Sequence, residues 1–418
     1  MKKKIIVVGG GFAGLQFLLR LPKNEFDILL IDKLNHHQFQ PLFYQVATSQ
    51  IEPSSISFPL RRIFYKRADI RIRLAKVLSV EGKENILHTS IGDFPYDYLV
   101  IATGCKTNFF GNKEIQKNVF TLKTTHQAID IRNSILSNFE KLIQAEDEEC
   151  EALRNIVIVG GGATGVELAG AFAEIKNDIL PGDYPRIDFS HLRIFLVEGS
   201  QHTLSSMSEK AQKASEKYLR NMGVEMKLGL FVKSYDGKKL HFSDGSEMES
   251  SQVIWAAGVT GNIIEGFSEE IITRGNRLKV DRYNKVEGQE NIYAIGDIAY
   301  METPKYPNGH PQVANVAINQ GNYLAKNLMA LKYGEKLKKY EYRDMGSMAT
   351  IGRNKAVVDL PGIKFKGTLA WFFWMFLHLM LILKVRNKLI IFINWAGIYM
   401  TQNSSLRLIL KGDEDVSS

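Results

Sequence analysis

The run Ile5-Ile6-Val7-Val8 is apolar at every position, the mark of a strand buried on both faces, and it ends in Gly9-Gly10-Gly11. Leu15 to Leu21 then takes helical spacing, and Phe26 to Ile31 returns to the strand pattern. The same succession recurs at Ile156-Val157-Ile158-Val159, a helix through Val166 to Ile175, and a strand from Leu192 to Val197. Three further segments, Tyr98–Ala102, Val253–Ala257 and Asn291–Ile295, each predict a buried strand entering a turn of small residues. Buried strands alternating with helices predict an α/β fold with parallel sheets. The cluster Pro181-Gly182-Asp183-Tyr184-Pro185 interrupts the second succession and predicts an inserted loop or hairpin.

The last part of the chain follows another pattern. Thr368 to Leu383 is apolar on every face except at His378 and contains Trp371 and Trp374. As a helix it would measure about 24 Å, short of a hydrocarbon core of roughly 30 Å. Lys384, Arg386 and Lys388 follow, then Leu389 to Met400, interrupted by Asn394 and carrying Trp395 and Tyr399. Aromatic rings and cations flanking apolar helices predict segments lying in a membrane interface. A buried core helix, a dimer contact and a single spanning helix are the competing readings.

Composition narrows the choices. A chain of 418 residues, 45% hydrophobic and 23% charged, needs two or three domains rather than one core. The formal charge of +8 collects between Pro361 and Gly412, where seven Lys and Arg meet no Asp or Glu. Basic residues among apolar aromatic segments suit an anionic lipid surface better than a phosphate groove, so no nucleic-acid partner is expected. Cys105 and Cys150 lie far apart, which excludes a disulfide scaffold, a dithiol and a four-ligand zinc site. His36 and His37 have no Cys, Asp or Glu at ligand spacing, so no metal is assigned. The basic start at Lys2-Lys3-Lys4 leads into a glycine turn rather than a cleavage site, so the catalytic body is expected to stay in the compartment of synthesis.

The two glycine clusters carry chemistry. Gly9-x-Gly11-x-x-Gly14, with Phe12 and Ala13 inside it, joins a strand to a helix, and Asp32-Lys33 ends the next strand. Glycines there allow a tight turn, approach of backbone to a pyrophosphate and close helix packing, while the downstream acid suits a ribose hydroxyl. Gly160-x-Gly162-x-x-Gly165, with Thr164 inside it, repeats the pattern and Glu198 repeats the acid, so two dinucleotides are expected. A carboxylate at Glu198 would accept ribose hydroxyls and repel the extra phosphate of NADPH.

The order of these elements, with Thr103-Gly104, Gly258 and the pair Gly296-Asp297, resembles the two-dinucleotide flavoprotein disulfide reductase superfamily. That resemblance implies an FAD domain split by an inserted NAD domain, with Asp297 meeting the ribityl and phosphate region of the flavin. The superfamily's redox cysteine pair is missing, so electrons leave the flavin for something other than a protein disulfide.

His37-x-Phe39-x-Pro41-Leu42-x-Tyr44-Gln45-Val46-Ala47 is similar to the H-x-F-x-P-L-x-Y-Q-V-A signature of type II NADH dehydrogenases, single-subunit NADH:quinone oxidoreductases. Ala314-Asn315-Val316-Ala317-Ile318-Asn319-Gln320-Gly321 resembles that family's A-Q-x-A-x-Q-Q-G segment, whose helix start faces flavin and quinone. Asn315 and Asn319 stand where the family commonly has Gln, one methylene shorter. The resemblance implies hydride transfer from NADH to non-covalent FAD, then two electrons to a membrane quinone without proton pumping. It implies quinone contacts from Asn315, Asn319 and Gln320, and an Ala314 that meets the flavin. It also implies catalytic roles for Glu167, in cofactor orientation or proton relay, and for Lys366, a cation beside the flavin's pyrimidine edge. A helix-dipole carboxylate and a lysine on lipid phosphates are the plainer readings of those two residues.

The expected domains are residues 1–110 and 263–345 for FAD, 111–262 for NADH and 346–418 for attachment. The protein is expected to be monotopic on the cytoplasmic face of the inner or plasma membrane, with a homodimer open. Sulfide:quinone oxidoreduction and a non-catalytic flavin-bearing redox sensor are the alternatives. Cys105 alone does not supply the cysteine pair of the first, and the Trp-rich tail replaces the soluble C-terminal domain of the second.

Overall fold

A computed structural model describes residues 2–144, 147–186, 188–401 and 406–410. Six helices matter below: α1 (Phe12–Arg20), α2 (Phe43–Ala47), α3 (Ala163–Glu174), α4 (Ala314–Lys332), α5 (Thr368–Leu381) and α6 (Val385–Thr401). The chain forms two compact units, one of Met1–Gln38, Phe58–Lys106 and Val259–Asp344, the other of Phe39–Ser57, Thr107–Gly258 and Met345–Ser418.

The first unit holds a parallel five-stranded sheet in the order Ile292–Ala294, Tyr98–Ile101, Lys4–Val8, Asp27–Asp32, Ile70–Leu74. Ile5, Ile6 and Val7 have no exposed surface, as an apolar run in a central parallel strand requires. Helix α4 packs along α1, and Gly321 permits it: a Cβ there would stand 2.5 Å from the Ala13 carbonyl oxygen.

The second unit repeats the plan, in the order Phe120–Thr121, Gln252–Trp255, Asn155–Val159, Arg193–Glu198, Val224–Leu228. One edge strand differs in origin: it comes late in the chain in the first sheet and early in the second. A three-stranded antiparallel sheet, Ser347–Thr350, Ala356–Leu360 and Ile363–Lys366, leads into α5.

The structure corrects the inserted loop or hairpin expected at Pro181. Helix α3 continues through a π-helical turn, Ile175–Ile179, into a further helical turn, Leu180–Asp183, with Pro181 in its first turn. Pro181 gives no N–H back to the preceding turn, and the chain passes from π-helical to α-helical winding at that point.

Helix α5 stops at Leu381, short of Leu383, helix α6 runs beyond Leu389 to Met400 at both ends, and among the described residues no helix is long and apolar enough to cross a membrane. Helix α5 turns Ala370, Trp374 and His378 inward, at i, i+4 and i+8, and leaves Leu369, Phe372, Phe376 and Met380 exposed. His378 is neutral and held: burial pushes its pKa down to about 4, its Nδ1 lies 2.8 Å from the Trp374 carbonyl oxygen, and its ring stacks on the Trp374 indole.

Candidate functional site

Both glycine turns are built to the same tolerance. A Cβ on Gly14 would stand 2.0 Å from the Gly9 carbonyl oxygen, and one on Gly165 would stand 1.8 Å from that of Gly160. These contacts are backbone on backbone, so each helix start abuts its own turn too closely for any side chain. Gly11 and Gly162 are the opposite case, with nothing within 4 Å of an added Cβ. Each precedes a helix with no side-chain cap, so uncapped N–H groups and open space coincide where a pyrophosphate would lie.

The acids close these turns. Asp32 accepts the Gly10 N–H at 2.6 Å and the Leu34 N–H at 2.7 Å, and burial raises its pKa against those bonds. Glu198 accepts the Gly161 N–H at 2.5 Å, while its other oxygen takes the N–H of Ser200 at 2.8 Å and its hydroxyl at 2.7 Å. Lys33 is exposed, and Phe12 and Ala13 form the first turn of α1. Thr164 sits in the first turn of α3 and Gly258 in the turn after Gln252–Trp255.

The first unit gathers the other FAD candidates. The Cys105 thiol donates to the Asp297 carboxylate at 3.0 Å, joining the turn after Thr103-Gly104 to the Gly296-Asp297 turn. The Thr103 hydroxyl is buried without a hydrogen-bond partner, and an orphaned donor beside the glycine turn fits a cofactor that would satisfy it. His37 packs edge-on against Phe12, with Nδ1 2.9 Å from the Gly10 carbonyl oxygen, and burial lowers its pKa to about 4. Ala314 and Asn315, half-buried, begin α4; Asn319 is exposed one turn on.

Gln320 follows Asn319 but faces inward. It has no exposed surface, and its Oε1 accepts the Gly296 N–H at 2.7 Å. Its Oε1 braces the Gly296-Asp297 turn, and its Nε2 is buried without a hydrogen-bond partner.

The second unit contains a cleft of about 800 Å³, open to solvent and lined by α2, α3, α5, α6 and the turn after Ser347–Thr350. Glu167 is 8% exposed at its inner end, and burial pushes its pKa up to about 8. The Thr350 N–H lies 3.4 Å from its Oε1, and the Trp374 indole N–H faces it without reaching full hydrogen-bonding geometry. A desolvated carboxyl with such weak support holds its proton at neutral pH. The aromatic wall is tied together: the Trp395 Nε1–H donates to Gln45 at 2.9 Å, Gln45 donates to the Tyr44 hydroxyl at 3.0 Å, and Trp371 stacks on Tyr399. Lys366 is exposed on the hairpin edge, opposite Val357.

Nothing in the sequence pattern places Tyr44 and Gln45 against α5 and α6. Their signature was the available signal, but no periodicity couples residue 45 to residue 395. Cys105 is in no disulfide among the described residues, and the side chain of Cys150 lies outside them.

Comparison with known proteins agrees along the whole chain. Residues 3–321 match the pyridine nucleotide-disulphide oxidoreductase family and residues 345–406 the NDH2 C-terminal domain. The type II NADH:quinone oxidoreductase Ndh of Mycobacterium tuberculosis is 31% identical, over 96% of this chain and 89% of its own. The fold is shared with NDH2 of Plasmodium falciparum, solved in complex with NADH, at a TM-score of 0.89 and 21% identity, covering 98% of this chain and 100% of that one. It is shared less closely with the sulfide:quinone oxidoreductase of Aquifex aeolicus, at a TM-score of 0.72 and 19% identity over 92% of each chain. The sulfide-oxidising and sensor alternatives therefore fall. With both dinucleotide turns, the C-terminal domain and a near full-length relative in agreement, the chain belongs to the type II NADH:quinone oxidoreductases.

Proposed function

We propose that this chain oxidises NADH and reduces quinone with FAD held by the first unit, NADH held by the second, and Glu167 as the proton donor of the quinone half-reaction. FAD, when bound, would supply the hydride acceptor and the store for the two electrons that reduce quinone. Backbone N–H groups after Gly11 bind its pyrophosphate, Asp32 and Lys33 its adenosine ribose end, and Thr103, Gly104, Gly296 and Asp297 the remainder. Gly160, Gly162, Thr164 and Gly165 bind NADH, Glu198 selects it against NADPH, and Gly258 keeps the neighbouring turn clear. Asn315 and Asn319 would orient the quinone, Ala314 would leave room for the flavin, and Lys366 would supply positive charge to stabilise its reduced form.

The observation that carries the reading is Glu167 itself, a carboxyl that is buried, nearly unsupported and aimed into an aromatic cleft. With its pKa raised to about 8, Glu167 is protonated below that pH and loses its proton above it. Quinone-dependent turnover should therefore be level below about pH 8 and fall above it, and Glu167→Gln should lower the plateau and erase that fall. An unchanged alkaline limb in the variant would remove Glu167 from the reaction.

The protein works at a lipid surface, as a monotopic enzyme on the cytoplasmic face of the inner or plasma membrane, alone or as a homodimer. Supporting this are the exposed Leu369, Phe372, Phe376, Phe392 and Ile393 beside Lys384, Arg386 and Lys388. Truncation after Gly362 is a poor test, because it would strip away the buried Trp374 and Trp395. Phe376→Asp with Phe392→Asp should instead release folded, flavin-bearing protein from anionic vesicles. Binding at wild-type strength would exclude these helices as the anchor.

A further inference from the structure

NADH + H⁺ + quinone gives NAD⁺ + quinol, so one hydrogen nucleus travels with the hydride and one proton must be drawn from water in every turnover. Glu167 sits at the inner end of its cleft and cannot give a second proton until it is refilled.

We propose that Asp178, Glu174 and the Tyr44 hydroxyl form the proton inlet that refills Glu167 from solvent. The proposal rests on the reading of Glu167 as donor. Glu167, Ala171, Glu174 and Asp178 recur at i, i+4, i+7 and i+11, on one face of α3 and its π-helical continuation, and all line the cleft. Their exposure is graded: Glu167 is 8% exposed, Glu174 half-buried, and the Asp178 side chain 38% exposed at the mouth. The π-helical turn falls between Glu174 and the mouth, and such turns concentrate at functional sites.

Seven residues of helix separate Glu167 from Glu174 by roughly 10 Å, too far for a direct transfer. Tyr44 lines the same cleft and is the relay that the proposal puts between them. Its hydroxyl accepts from Gln45, which leaves its own proton to donate, and the charges of both Glu167 and Glu174 act on it. The Trp374 indole, in a residue 1% exposed, lines the same cleft and turns its N–H toward Glu167.

The charges around the route are few. Glu174 accepts the Arg353 N–H and is faced by the Arg353 and Lys355 side chains, by Asp178 and by Tyr44. Arg353 also stands 3.8 Å from Asp178. Glu167 is faced by the Thr350 N–H, the Trp374 indole and Tyr44. Burial raises the pKa of Glu174 as it does that of Glu167, so both carboxyls hold protons more readily than their solvated counterparts.

Infrared spectroscopy of the full-length protein moved into D2O reads the route directly, through the carbonyl band of the protonated Glu167 carboxyl, assigned by its loss in Glu167→Gln. Glu174→Gln should slow deuterium exchange of that band by about tenfold or more, and Tyr44→Phe and Asp178→Asn by less, with quinone turnover falling in the same order. Flavin reduction by NADH should not change, and Glu174→Asp should restore part of the exchange rate. Exchange and turnover at wild-type rates in Glu174→Gln, with Glu167→Gln impaired, would overturn the inlet and leave Glu167 as donor. Both variants behaving as wild type would overturn both readings. Should Glu174→Gln lose its flavin, Asp178→Asn at the exposed mouth decides: slowed exchange supports the inlet and unchanged exchange overturns it.

Discussion

The two glycine turns are nearly superposable in logic and differ in what surrounds them. Each has a glycine pressed on backbone, a glycine facing open space and an acid tied to the turn's own N–H groups. The first, however, is overlaid within its unit by α4: Gly321 rides on Ala13, and Gln320 braces the Gly296-Asp297 turn. The described hydrogen bonds of the second include no such brace from another helix; Glu198 is tied to its own loop through Ser200. A turn overlaid by another helix suits a cofactor that stays, and one tied by loop contacts, such as the Leu204 N–H on the Gly161 carbonyl at 2.7 Å, suits a substrate that leaves in every cycle.

The largest effects should come from the glycines pressed on backbone. Gly14→Ala forces a Cβ to 2.0 Å from a carbonyl oxygen, an overlap neither atom can escape without moving the helix, at a cost of at least about 1–3 kcal/mol. The expected product is flavin-free protein with a lowered melting temperature. Gly165→Ala carries the same clash in the second turn, and should keep its flavin colour while losing NADH oxidation. Flavin loss in the Gly165 variant, measured by absorbance after desalting, would merge two sites that the comparison keeps apart.

A smaller effect is expected at the acids. Glu198→Gln removes a negative charge but keeps an oxygen for the Gly161 N–H, so the preference for NADH over NADPH should narrow by about tenfold with flavin content unchanged. Steady-state specificity constants for the two donors check this. An unaltered ratio would take nucleotide selection away from Glu198.

The sheets were legible because their signals are local. Ile5 to Val8 and Ile156 to Val159 are buried strands on apolar content alone, and the glycines beside them have few other uses. What escaped was whatever depends on which face of a helix meets which neighbour. Gln320 and Asn319 are adjacent in one polar stretch, yet the first is buried and the second exposed, because α4 turns about 100° between them. Thr368 to Leu383 is apolar almost throughout, so its pattern gave no inner face; packing chose Ala370, Trp374 and His378. Pro181 read as a break because its helix-starting use is indistinguishable in sequence from its loop use. The Glu167 cleft joins residues 44, 167, 350, 374 and 395, and only the folded chain brings them together.

The central claim is that one turn holds the resident flavin and the other the passing nicotinamide. It is tested most directly at the two open glycines, where an added Cβ has no protein atom within 4 Å and the fold should be spared. Gly11→Val and Gly162→Val should be purified in parallel and titrated anaerobically with NADH under a spectrophotometer. The account predicts a folded, colourless Gly11 variant, and a yellow Gly162 variant whose flavin NADH does not bleach. A yellow Gly11 variant, or a Gly162 variant bleached at the wild-type rate, would contradict it.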